Sequence, residues 1–142
     1  MKNILSAAVL TLFAITSNIS QAEEDTRIMV KLPDMMQEHM LSNMRDHLSS
    51  LNEIMVYMAN GNLDKAADVA EQRLGMSSLE AHGASHLAKY MPEGMQQAGT
   101  NMHKAASRFA LRAQEGDLTP ALKALSEVTS ACAACHSAYR IR

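Results

Sequence analysis

Residues 131–140 read Ala131-Cys132-Ala133-Ala134-Cys135-His136-Ser137-Ala138-Tyr139-Arg140 and hold the only two cysteines of the chain. Two cysteines separated by two residues, with a histidine directly after, form the C-x-x-C-H pattern of haem attachment. On a helix, Cys132 and Cys135 share a face, so two thiols can add to the two vinyl groups of one haem while His136 offers an imidazole to the iron. Other chemistries use less of the pattern. A thioredoxin-like redox pair needs a βαβ setting, a zinc site needs about four nitrogen or sulfur ligands, and a disulfide would close a loop too short to constrain much chain. None of these uses His136.

The start of the chain suits an exported haem protein. Lys2 supplies a positive charge, residues 4–15 form a short apolar core, and Ser20-Gln21-Ala22 fits a small-x-small cleavage site, so residues 1–22 read as a signal peptide. Cleavage would leave residues 23–142, enough for a single haem-binding domain with one core. No later stretch reaches the roughly 18 uninterrupted apolar residues of a spanning helix. The expectation is a soluble periplasmic protein without membrane insertion. The formal charge is −2 and the basic residues are scattered, which does not suit nucleic acid.

Aromatic residues make up only 4% of the chain and tryptophan is absent, whereas there are 12 methionines. A core of Leu, Met and Ala favours helices over sheets, and haem would supply the missing bulk. Residues 23–31 read as a charged, irregular lead-in. Pro33 and Asp34 suit the first turn of a helix over 33–60, with an apolar stripe through Met40, Met44, Leu48, Leu51, Met55 and Met58, stopping at Asn60-Gly61. Asn62 caps a second helix with Leu63, Ala66, Ala67, Val69, Ala70 and Leu74 on its apolar positions, ending at Gly75.

Ser77-Ser78-Leu79-Glu80 reads as a capping box that restarts a short helix before Met91-Pro92, so the second helix is broken. A third helix over 93–115 points Met95, Met102, Ala106, Phe109 and Ala113 inward. Its small residues Ala98, Gly99, Ala105 and Ala110 admit either a flat ligand or a neighbouring helix. Thr119-Pro120 opens a fourth helix, with an inward stripe of Leu122, Leu125, Thr129, Cys132, His136 and Tyr139. No strand-like alternation is present. The fold expected is all-α, an antiparallel up-down four-helix bundle with a broken second helix.

Four helices with a single CAACH at the C-terminal end of the last resemble the class II c-type cytochromes, which include cytochrome c-prime and its low-spin relatives. The class I cytochromes carry the attachment site near the N-terminus. The resemblance implies one covalent haem c, with Cys132 and Cys135 as thioether sites and His136 as proximal iron ligand. Arg140 would lie near a haem propionate, although a solvated arginine favoured by the helix dipole is the competing reading.

Asn43-Met44-Arg45-Asp46-His47-Leu48, continuing to Leu51 and Ile54, resembles the start of the first helix in low-spin four-helix cytochromes. That implies Met44 as distal iron ligand, with Met40 in reserve; without the haem motif, such methionines are ordinary core filler. Methionine ligation raises the reduction potential and suits electron transfer.

Five other histidines compete for attention. His47 and His103 lie close to apolar faces, as alternative distal groups or as rings bonded to backbone. His82 and His86 stand one turn apart without an evident third metal ligand. Met35, Met36, His39, Met40, Met44 and His47 could form a soft copper-binding surface.

The function expected is a monohaem electron carrier between redox partner proteins, and not an enzyme, since no nucleophile–base set is evident. The alternatives are a five-coordinate binder of nitric oxide or carbon monoxide and a copper-binding protein. The resemblance also allows a homodimer through the first two helices.

Overall fold

The computed structural model describes residues 24–142, so the expected signal peptide lies outside the described residues. Helix α1 spans Asp34–Ala59, with Pro33 at its N-cap and Asp34 in the first turn, where negative charge meets the positive end of the helix dipole. The chain reverses at Asn60 and Gly61, the latter with φ 71°. Asn62 then caps α2 (Leu63–Arg73) by accepting from the Lys65 amide at 3.2 Å. A 3₁₀ turn at Met76–Ser78 and the short α3 (Ala84–Ala88) lead to α4 (Glu93–Gln114) and α5 (Leu118–Ala138).

Connectors 60–62 and 115–117 are too short for anything but an immediate reversal, so α1 and α2, and likewise α4 and α5, run antiparallel. α1 packs on α2, α2 on α4 and α4 on α5. The result is the expected all-α bundle with its second helix interrupted between Arg73 and Ala84.

The main core joins Ala66, Ala67 and Ala70 of α2 to Ala105, Ala106, Ala110 and Ala113 of α4 and Ala121 and Ala124 of α5. Small side chains bring these helices close, and Ile54, Leu74, Phe109 and Val128 fill the space between them. Arg73 fastens α2 to α1 through Asp46 and Glu53, the latter at 2.8 Å. These pairs are partly exposed and worth roughly 0.2–1 kcal/mol each.

The inward face of α1 is not the expected one. Leu48 and Met55 are 70% and 52% exposed, and the buried line runs through Met40, His47, Ser50, Ile54 and Met58. Following the apolar residues steps around His47, although a ring with paired nitrogens can be buried. Ser50 enters the core because its hydroxyl donates to the Asp46 carbonyl at 2.8 Å.

In α5 the buried line is Ala121, Ala124, Leu125 and Val128, continuing through half-buried Cys132 and Cys135; Leu122, Thr129 and His136 are exposed. The helix begins earlier than Thr119, because the Asp117 carboxylate caps it by accepting from the Thr119 amide at 3.0 Å. A carboxylate there also meets the helix dipole favourably.

No capping box forms at Ser77. Its hydroxyl donates to Glu71 at 2.5 Å, Ser78 bonds the Gly75 carbonyl at 2.7 Å, and α3 waits for Gly83. Gly83 is left-handed, with φ 60°, and a β-carbon there would stand 2.6 Å from the His39 ring. Both the turn and the approach of α1 require glycine.

The N-terminal lead-in is ordered rather than loose. Ile28–Met29 (β1) pairs in parallel with Tyr139–Arg140 (β2), and the Val30 amide donates to the Arg140 carbonyl at 2.8 Å. Alternation cannot reveal two-residue strands.

Truncating Phe109→Ala is expected to cost about 3–5 kcal/mol in chemical denaturation. Leu48→Ala, at an exposed site, is expected to stay within about 0.5 kcal/mol of wild type. A large loss at Leu48 would restore the apolar stripe read from sequence.

Candidate functional site

At the end of the bundle where α5 finishes, a cavity of about 650 Å³ opens among the helices. That size is ordinary for a bound organic ligand, for which roughly 300–1,000 Å³ is typical. Met40, Met44 and His47 come from α1, Leu87 from α3, and Met95, Gly99 and His103 from α4. Cys135, His136, Tyr139 and Arg140 come from the end of α5 and the tail. A second apolar cluster surrounds the space, with Val30, Met40, Leu87 and Met95 buried and Met44, Met91, Cys135 and Tyr139 half-buried.

Several features hold the tail against the cavity. The Tyr139 amide caps the last turn by donating to the Cys135 carbonyl. The β1–β2 pairing then fixes the chain directly after the motif, Gln37 of α1 bonds the Ile141 carbonyl, and Arg27 reaches the His136 carbonyl at 3.4 Å. The chain directly after CAACH is thereby anchored to α1 and to the N-terminal lead-in.

Cys135 lines the cavity, while Cys132 lies one turn earlier, half-buried against the main core. Burial pushes both thiols up, and Cys135 adds to the shift at Cys132. The pair therefore stays protonated, the opposite of the acidic thiol of a reactive redox cysteine. His136 is exposed at the cavity wall, so it stands beside the buried seam of α5 and not on it.

Cations gather at one edge. Arg27, Arg140 and Arg142 line the cavity with Asp25 close by. Arg27 pairs with Asp25 at 2.8 Å and draws its carboxyl down to about 2. The buried Nε of Arg140 stands 3.4 Å from the same carboxylate, an ion-pair contact outside hydrogen-bond geometry, and finds no hydrogen-bond partner among the described residues. A half-buried guanidinium with an idle donor is suited to an anionic group at the cavity edge, such as a carboxylate.

The small residues of α4 divide between the two roles open to them. Ala105 and Ala110 are buried in the helix-packing core. Gly99 lines the cavity, and a β-carbon there would meet no atom within 4 Å. A flat, mainly apolar group with carboxylates on one edge fits these walls, and haem has that form.

The isolated histidine assignments are redrawn. His47, His82 and His103, taken singly in the sequence, stand together, with ring centroids 4.8–5.8 Å apart. His86 is exposed on α3, whereas His82 lies in the turn before it, so the two are not paired on one helix. The copper surface is dispersed as well: Met35 is 76% exposed, Met40 is buried, and His47 turns to the other two rings. Burial and the two neighbouring rings lower His47 to about 4. No signal within one helix could announce the cluster, because its members are 35 and 21 positions apart in a chain whose second helix is broken.

Comparison with known proteins supplies the family. The family model described as Cytochrome C' matches residues 34–140, from the start of α1 to the end of β2. The chain belongs to that family, one of c-type haem proteins. No curated protein and no solved structure matches it.

The lowered His47 gives a pH expectation. Its ordinary value in the unfolded chain is 6.5 and its folded value about 4, so the unfolded state takes the proton first. The stability tied to the neutral ring is complete above about 6.5 and declines as pH falls toward 4. Denaturation midpoints across that window should fall more steeply for wild type than for His47→Asn; equal slopes would show that His47 is not held neutral.

Proposed function

We propose that this member of the cytochrome c' family is exported to the periplasm, holds one covalent haem c, and passes single electrons between redox partner proteins without substrate chemistry of its own. The observation that carries the reading is the convergence of the CAACH segment and two α1 methionines on one cavity. Haem bound there supplies a reversible one-electron couple at its iron. Cys132 and Cys135 are the thioether sites. His136 provides the proximal imidazole.

Met44 provides the distal thioether, with buried Met40 one turn earlier as a packing residue. Methionine and histidine together raise the potential of the couple relative to ligation without the thioether. Arg140, with its idle Nε, and Arg27 are placed to receive the carboxylates. Buried Met40, Leu87 and Met95 make this wall of the cavity apolar, and the local dielectric is one of the levers that set the potential of the couple.

The attachment is tested on denaturing gels. Haem stain should remain with the wild-type polypeptide and disappear when Cys132→Ser and Cys135→Ser are combined. Extraction of haem from the wild type by acidified organic solvent would defeat the covalent assignment.

The distal ligand is tested by Met44→Ala, which leaves both cysteines and His136 in place. Haem should stay attached while the visible spectrum changes spin state, the reduction potential falls and the ferrous protein gains carbon monoxide binding. Met40→Ala should keep the wild-type spectrum and lose about 2–5 kcal/mol of stability, as a buried truncation. Unchanged spectra in both variants, with ready carbon monoxide binding by the wild type, would replace the electron carrier with a gas-binding protein.

A further inference from the structure

Three imidazoles converge in the cavity wall from three elements: His47 from α1, His82 from the turn before α3 and His103 from α4. One nitrogen from each lies within 4.8 Å of the other two. The proposed haem attachment uses none of them.

Their hydrogen bonds leave lone pairs over. The Leu74 carbonyl can only accept, so His103 carries its proton on Nδ1, 2.7 Å away, and leaves the Nε2 lone pair free. Ser78 Oγ donates to the Gly75 carbonyl and so turns its acceptor side to the protonated Nδ1 of His103 at 3.4 Å, while His82, with its proton on Nε2, keeps the Nδ1 lone pair that faces His47. Asp46, the carboxylate that acts on His47 and His82, is held by Arg73. Neutral rings gathered this closely can each turn one lone pair toward a common cation.

We propose that His47, His82 and His103 form a binding site for one first-row divalent cation of imidazole preference, Zn²⁺ or Cu²⁺. Imidazole suits both metals, and Cu²⁺ binds a given donor set more tightly. His47 Nε2 and His82 Nδ1 are 3.4 Å apart. Two nitrogens on one tetrahedral zinc, each about 2.0–2.1 Å from the metal, stand roughly 3.3 Å apart. The bond from His103 Nδ1 to a backbone carbonyl is the outer contact that orients a ligating histidine and raises its basicity. Burial keeps the rings neutral, which is the form that binds metal. Three protein ligands leave a fourth position for water or another small ligand.

The test uses the haem-loaded protein, freed of metal with a chelator and titrated with ZnCl₂ near neutral pH by calorimetry, with metal content measured after desalting. Wild type is expected to retain one zinc per chain, and His86→Ala, altered at an exposed ring, should retain it too. His82→Ala and His103→Gln should each lose stoichiometric zinc while keeping wild-type helicity and haem bands. If His103→Gln fails to fold, His82→Ala, at a half-buried turn, decides the matter. The proposal is overturned if wild type takes up no stoichiometric zinc, or if His82→Ala retains it. A change in the haem bands of metal-free His82→Ala would also overturn it, by assigning the imidazole to the haem.

Discussion

Close packing of alanines between α2, α4 and α5 is the constraint on which the rest of the structure depends. Ala66, Ala67 and Ala70 share one core with Ala105, Ala106, Ala110 and Ala113, small side chains that let the backbones approach. Such an interface gains its stability from many short contacts and from the loss of little side-chain entropy. Phe109 and Ile54 complete it, and both are wholly buried. One end of the bundle is therefore closed by protein alone.

The other end is built differently. Longer and softer side chains, Met40, Met44, Met91 and Met95, line a cavity instead of filling the bundle axis. Methionine adapts to an irregular surface without demanding a single packing arrangement. The break between α2 and α4 contributes here, since Leu79, His82, Leu87 and Met91 of that segment line the cavity. Stability and ligand binding are thus divided along the length of one bundle.

Charge pairs serve both parts of the bundle. Arg73 ties α1 to α2 through Asp46 and Glu53, whereas Arg27 and Arg140 share the single carboxylate of Asp25 at the cavity edge. Two guanidinium groups on one carboxylate leave positive charge for an anionic ligand. The parallel contact of β1 with β2 brings Arg27 there, so the segment ahead of the bundle completes the site at its far end. A backbone ladder this short is weak alone and relies on buried Val30 to hold it.

The sequence by itself determined the helical class, the interruption in the second helix, the start of the first helix at Pro33-Asp34, the cap at Asn62, and the CAACH segment ending the last helix. These signals are local: a cap, a proline or a 3.6-residue period acts through neighbours a few positions away. Tertiary structure alone decided that His47 faces inward while Leu48 faces solvent, that Asp117 caps α5, and that residues 28–29 pair with 139–140. It also decided that His47, His82 and His103 stand together. Hydropathy scores a histidine as polar wherever it occurs, yet burial depends on whether a carbonyl or hydroxyl from another element meets its ring nitrogens. For His103 the partner is Leu74, 29 positions away, and only the fold brings it within 2.7 Å.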